Sequence, residues 1–224
     1  MSKNRFFVYC CSGLGREVIG TVARSNEVDK IWDEIRFIDD NQNMEKVING
    51  FEVWTFEDYI NSGILKTDRF VIAAGEPLTR ASIHNKLIKN NLKLGIVIDP
   101  INIYQSSAEI GEGTIIQQQA GPGPNCRIGK CVLLQGHVVM GHDVEIGDYS
   151  TISSLVFIGG DTKIGLNTYI APGALIRNGI VIGDNCIIGM GSVVTKSIPD
   201  NSVAYGNPCK VVRENTEQIV FVKK

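Results

Sequence analysis

Two periodicities divide the chain. Between residues 5 and 100, short apolar runs alternate with amphipathic stretches. RFFVYC (5–10), EIRFIDD (34–40), RFVIAAG (69–75) and LGIVID (94–99) read as buried strands. The first is followed by SGLG and a stretch carrying Val18, Ile19 and Val22 on one helical face. The third is followed by a helix predicted over 77–91, with Ile83, Leu87 and Ile88 on its buried side. Strands alternating with helices predict right-handed crossovers and a parallel sheet.

From Ile110 the period becomes six. Stepping in sixes to Val194 visits fifteen positions, of which eleven are Ile and the others Leu134, Met140, Val194 and Pro122. The next position in the hexad is Gly in nine of the fifteen, and the fifth is small or medium throughout, from Thr114 to Ser192. Six matches neither the 3.6 of a helix nor the 2 of a strand. It is the pattern of a parallel β-helix, whose short strands meet at corners and whose aliphatic ladder forms the core. Three hexads make one coil, so residues 18 apart lie above one another. Where glycine follows the inward aliphatic, it is expected to supply backbone angles that a Cβ penalises.

Composition narrows the function little. The chain has 224 residues, 43% hydrophobic and 21% charged, with a formal charge of −2. Its Lys and Arg are scattered, so neither nucleic acid nor an anionic membrane is an expected partner. No apolar stretch reaches the 18 or so residues that span a bilayer, and the N-terminal apolar run is too short for a secretory signal. The expectation is a cytoplasmic protein. The six cysteines include no CxxC pair, which argues against a disulfide framework or a cysteine zinc site.

Chemistry-bearing residues gather after the strand ends: Ser12, Gly13 and Leu14 after the first, Asp39 and Asp40 after the second, Gly75 and Glu76 after the third. Ligands of open parallel sheets sit beyond the carboxyl ends of the strands, so a small molecule, plausibly a nucleotide, is expected there. CCSGLG lacks two glycines of a full dinucleotide fingerprint and also reads as a tight turn. Asp39 and Asp40 either contact base or ribose hydroxyls or form turns. Arg80 either faces a pyrophosphate or begins a helix. Lys196, Lys210 and Arg213 read as ordinary surface cations, or as phosphate contacts if the coenzyme implied by the resemblance below lies near them.

CCSGLGREV, FIDD at 37–40, AAGEPLTR at 73–80, GHDVEIGDYS at 141–150 and GMGSVVTKSIPDNSVAYGNPCKVV at 189–212 together resemble one family almost end to end. It comprises the bacterial sugar O- and N-acyltransferases of the sialic acid O-acetyltransferase and bacillosamine N-acetyltransferase type. The resemblance implies a Rossmann-like nucleotide-sugar domain over 1–100. A left-handed parallel β-helix follows over 101–224 with a short C-terminal tail, assembled as a homotrimer with acetyl-CoA between neighbouring helices and no metal. It also implies that Ser12, Gly13, Leu14, Asp39, Asp40 and Gly75 hold the nucleotide sugar. His142 falls on the general base and Asp143 on its acidic neighbour, while Thr151, Gly160, Pro172 and Met190 fall on acetyl-CoA contacts. Members commonly carry His where this chain has Leu14 and Thr151, and smaller residues where it has Gln135 and His137.

Three readings stand for His137 and His142. In one, His142 is the base and His137, with Gln135, contacts substrate or a neighbouring subunit. In another the pair ligates a metal, as in trimeric β-helical carbonic anhydrases, but residues 85–136 supply no third His. In the third both are surface residues of a non-catalytic scaffold. An imidazole, with its ordinary pKa of about 6.5, suits proton removal from an attacking amine or hydroxyl. Gly160, one coil beyond His142, leaves room for a thioester arm, and Pro172 and Met190 form a wall on a second line. Cys126 and Cys186 face inward and are poor nucleophiles; Cys131 stays open. The expected activity is acetyl transfer from acetyl-CoA to the amine of a nucleotide-linked 4-amino-4,6-dideoxyhexose. The alternative is O-acetylation of a sugar such as sialic acid.

Overall fold

The strand Arg5–Tyr9 (β1) is buried along its whole length, Phe6–Tyr9 by their apolar side chains and Arg5 through its pairing with Asp68. The computed structural model describes residues 3–102 and 107–221. The helix Gly13–Asp29 (α1) leads from β1 to Glu34–Ile38 (β2), which pairs with β1 in parallel. A hairpin of Val47–Ile48 (β3) and Phe51–Trp54 (β4) extends this edge, and β4 continues into the short helix Phe56–Asn61 (α2). The strand Arg69–Ile72 (β5) pairs with the other side of β1 and leads into the helix Pro77–Lys89 (α3). Sheet order is β3-β4-β2-β1-β5, so the direction of winding reverses between β1 and β5. Phe6 and Val8 pack with Val18, Ile19 and Val22 of α1 on one face. Phe7 and Tyr9 pack with Tyr59, Phe70 and Leu87 on the other.

The stretch 94–99 does not act as one strand of this sheet. Leu94 bridges Phe70, but Val97–Ile98 pairs with Ile115–Ile116 and so begins the β-helix. Two-residue strands then stack 18 residues apart on three faces. The first face runs through Ile115, Leu133, Thr151, Tyr169 and Ile187; the second through Val139, Phe157, Leu175 and Val193; the third through Glu109, Arg127, Glu145, Lys163 and Val181. Inside, the predicted ladder from Ile116 to Val194 forms a continuous core. The expected Rossmann-like domain followed by a parallel β-helix is therefore the observed architecture.

The hexad glycines serve a different purpose from the one expected. None of Gly111, Gly129 and Gly147 has a positive φ. A Cβ on Gly111 would meet the carbonyl oxygen of Gly129 at 2.5 Å, and one on Gly147 the amide of Leu166 at 2.5 Å. These glycines let adjacent coils approach. The left-handed turn falls two positions later, on Asn125, Cys131, His137, Asp143 and Asp161 among others.

The first face of the solenoid is covered by the N-terminal unit. Ile115, Leu133 and Thr151 are buried there, and Arg80 of α3 reaches across. Its guanidinium donates to the carbonyls of Ala74 (2.6 Å), Gly75 (3.0 Å), Cys131 (3.0 Å) and Tyr149, and to the Thr151 hydroxyl (2.7 Å). Burial lowers its pKa to about 10, still far above neutrality, so the latch is a cation. His84 Nδ1 meets the Tyr149 hydroxyl at 2.8 Å, and Arg24 pairs with Asp99 at 2.5 Å. His84 and Arg80 occupy the buried side of α3 with Leu87; Ile88, expected there, is 47% exposed.

Candidate active site

His142 stands at the corner where the second face turns into the third. Its Nδ1 lies 2.8 Å from Asp143 Oδ2. With Nδ1 engaged by a carboxylate, the free nitrogen is Nε2. Asp143 has a second partner, because Asn125 Nδ2 donates to its Oδ1 at 3.2 Å. These hydrogen bonds, from His142 first and Asn125 second, hold the Asp143 carboxyl below its usual range. Both side chains of the dyad are about half exposed, 59% for His142 and 47% for Asp143.

Gly160 lies one coil above, and the imidazole fills the space that its missing side chain leaves. A Cβ there would be 2.8 Å from both Cε1 and Nε2 of His142. The glycine thus accommodates the ring itself rather than a thioester arm. Asp161 follows, and its donor atoms lie within 4.8 Å of those of His142 and Asp143. His137 is not in that group, so the two histidines do not converge on a common point. His137 is exposed at the corner on the opposite edge of the second face, where φ is +62°.

That opposite edge also carries Gln135, half-buried, together with Pro172 and Met190, both exposed. Between the two edges runs an exposed apolar ladder: Val139 (55%), Phe157 (46%) and Leu175 (47%). One chain therefore separates His142 and Gly160 from Pro172 and Met190 by the width of this face. Thr151 joins neither group. It is buried on the first face, its hydroxyl taken by Arg80 and by the carbonyl of Gly75 (3.4 Å), so its side chain is not placed to touch a coenzyme. Arg80 likewise faces no pyrophosphate, since its donors are spent on the seam between the two units.

The strand-end residues do come together. The reversal between β1 and β5 places Ser12, Gly13 and Gly75 at adjoining strand ends, where open parallel sheets form their ligand crevice. Ser12 caps α1 without a side-chain hydrogen bond, and a Cβ on Gly13 would meet nothing within 4 Å. The glycine that the turn needs is Gly15, where a Cβ would lie 2.1 Å from the Cys10 carbonyl oxygen. Leu14 is half-buried against the core of the unit. Asp39 Oδ2 accepts from the Cys11 amide at 3.0 Å, and Asp40 accepts from Lys86 (2.7 Å) and Tyr9 (2.5 Å). Both aspartates thus shape the crevice as well as edging it. Burial pushes the Cys10 and Cys11 thiols up to about 12, which leaves them protonated and unreactive at neutral pH, and Cys131 is likewise buried and raised to about 12.

The sequence reading missed the C-terminal tail in this region. The amides of Val220 and Phe221 donate to Glu76 Oε2 at 3.0 and 2.9 Å. The Phe221 ring stands edge-on to Tyr169 at 5.3 Å and beside Gly75. No local pattern in residues 215–221 signals this docking, which depends on a coil 52 residues earlier.

Two stretches of the chain match known families. Residues 5–87 match the PglD N-terminal domain, and residues 161–196 match the bacterial transferase hexapeptide (six repeats). The family resemblance read from the sequence holds. The acetyltransferase domain of PglB from Neisseria gonorrhoeae FA1090, solved with acetyl coenzyme A, is 25% identical with a TM-score of 0.87, over 94% of this chain and 100% of that one. WeeI from Acinetobacter baumannii AYE is 25% identical with a TM-score of 0.71, over 94% and 100%. PerB from Caulobacter crescentus, solved with CoA and GDP-perosamine, shares the fold at 20% identity, with a TM-score of 0.84 over 95% and 99%. No match was found among curated protein sequences. Among the described residues, no helix is long and apolar enough to cross a membrane.

Proposed function

We propose that this chain is an acetyl-CoA-dependent N-acetyltransferase acting on the amine of a nucleotide-linked amino sugar of the 4-amino-4,6-dideoxyhexose type. The observation that carries the proposal is the His142–Asp143 pair seated beneath Gly160 at the edge of an exposed apolar face. The PglB domain, similar over its whole length, binds acetyl coenzyme A, and the fold-sharing PerB binds CoA and GDP-perosamine. The nucleotide moiety occupies the β1/β5 crevice, among Ser12, Gly13, Leu14, Asp39, Asp40 and Gly75.

His142 acts as general base through Nε2. As the sugar nitrogen bonds to the thioester carbonyl carbon, the imidazole takes its proton; as the C–S bond then breaks, the imidazolium returns that proton to the departing sulfur and the coenzyme leaves as the thiol. Asp143 fixes the ring's tautomer and stabilises the imidazolium that forms. The buried, protonated thiols favour direct transfer over an acyl-enzyme.

The reading includes a homotrimer in the cytoplasm. Packing the ladder of Val139, Phe157 and Leu175 against a second copy would cover apolar surface that one chain leaves open. It would also bring the edge with Pro172 and Met190 of one protomer towards the edge with His142 of another. Acetyl-CoA would then lie between protomers, with Gln135 and His137 beside the shared cleft.

The test is thiol release from acetyl-CoA with a panel of nucleotide amino-sugars and hydroxyl-bearing sugars. Release with an amino-sugar, and a loss of about 10²–10⁴-fold in His142→Ala within a folded oligomer, is the expected result. Release only with hydroxyl acceptors, or near-normal turnover in His142→Ala, would refute it.

A further inference from the structure

At the corner between the first and third faces, aspartates serve the backbone of the coil beneath. Asp148 Oδ1 accepts from the Lys130 amide at 2.7 Å, Asp184 Oδ1 from Leu166 at 2.9 Å, and Asp200 Oδ1 from Asp184 at 2.9 Å. They are spacers that tie rung to rung. Asp143, at the His142 corner, is used differently, because both of its carboxylate oxygens are directed at side chains: Oδ2 at His142 and Oδ1 at Asn125.

Asn125 sits one coil below Asp143, 18 residues earlier in the chain, where the Asp143 amide donates to the neighbouring Pro124 carbonyl at 2.9 Å. Its own backbone has φ +59°, which Asn tolerates better than most residues, and its amide is tied to Ser107 Oγ at 3.1 Å. Its carboxamide is therefore delivered from a fixed backbone. A carboxylate held on one oxygen alone can rotate about its Cβ–Cγ bond; held on both, it keeps one plane and presents Oδ2 steadily to the imidazole.

We propose that Asn125 is a positioning residue for His142, acting through Asp143. The proposal rests on the reading of His142 as the base. The charged groups facing this corner are Asp143 itself, Asp161 above it, Glu109 and Glu145 in the same cleft, and Arg127 between those two glutamates, whose attraction also favours the ionised Asp143. Asn125 is the neutral member, which lets it fix the carboxylate without changing the net charge around the ring.

Two variants of the full-length protein test this, assayed for kcat, for KM of both substrates, for the pH profile of kcat/KM and for thermal stability. Asn125→Ala frees the carboxylate, and kcat should fall about tenfold with the KM for acetyl-CoA within about twofold, while alanine at a left-handed φ is strained and lowers the melting temperature by a few degrees. Asn125→Asp replaces the donor with a second negative charge. It should move the acidic limb of the profile upward by about half a pH unit or more, because added negative charge favours the imidazolium. A merely structural role would lower stability alone and leave that limb in place, and this result overturns the proposal. Turnover retained in His142→Ala would remove the base reading and the proposal with it. Turnover lost there, with normal kcat and an unmoved limb in both Asn125 variants, would overturn the proposal alone.

Discussion

Gly160→Ala separates the chemistry of the His142 corner from its stability. The glycine does not need a positive φ, so alanine fits the backbone, and removing a glycine from the unfolded chain favours folding by about 0.4–1 kcal/mol. The added methyl would stand 2.8 Å from Cε1 and Nε2 of His142 and 3.1 Å from Cδ2. Ordinary contact begins near 3.5 Å, so the ring must retreat by roughly 0.7 Å. The imidazole is 59% exposed, and so it can swing outward at little cost. What it loses is alignment, because the 2.8 Å contact with Asp143 and the aim of Nε2 cannot both survive the shift. A displacement approaching 1 Å costs about 100-fold in a reaction that depends on orientation. Thermal unfolding should therefore show a melting temperature equal to or above that of the parent, while thiol release from acetyl-CoA falls by about two orders of magnitude. Parental turnover in a folded Gly160→Ala protein would refute the placement of the base.

Three further outcomes follow from other parts of the molecule. Arg80→Ala should destabilise the protein by about 3–5 kcal/mol, read by denaturant unfolding, because it strips the buried partner from carbonyls of both units. Phe157→Asp should yield a folded but smaller species in sedimentation if the apolar ladder joins copies of the chain, since a charge in the middle of that contact is costly. Partial burial opposes ionisation of Asp40, but hydrogen bonds from Lys86, Tyr9 and the Phe56 amide prevail and hold its carboxyl below the ordinary 3.8. A depressed carboxyl contributes stability above its unfolded pKa and loses it in acid, so Asp40→Asn should be less stable than the parent at pH 7. The two stabilities should converge as pH falls below about 4, which parallel acid titrations of unfolding would show.

The β-helix was legible because its signal is repeated: each inward Ile is confirmed by another 18 residues on, and a chance match cannot hold that phase. The strands and helices around β1 and β5 were legible for the ordinary reason that apolar runs bury. What escaped is what depends on contacts distant in sequence. Arg80 and His84 look like polar helix residues until the solenoid packs against them and buries them with Leu87. Asn125 carries no local mark of its tie to Asp143, although a count of 18 from a candidate base would have found it. The hairpin and α2 were overlooked despite a usable sign, Thr55 three residues before Asp58, which form a reciprocal cap. The hexad glycines were located correctly and explained wrongly, because sequence shows that a side chain is missing but not which neighbour would have struck it.

The final coil is two residues short, with Ile182 bridging Ile198 and Ile187 pairing with Val203. A stack of equal rungs has no natural end, and its last rung is a row of unpaired amides and carbonyls open to any further strand. The shortened coil leads the chain out and back over its own rim. Lys210–Glu214 runs antiparallel beside Ser202–Tyr205, and Gly206 and Cys209 close hydrogen bonds onto Val193. At the opposite rim the N-terminal unit lies against the first rung, with Leu94 joined to Phe70. The C-terminal end of the stack is thus covered by the chain itself, which guards against fibres built from the repeat that makes this fold so regular.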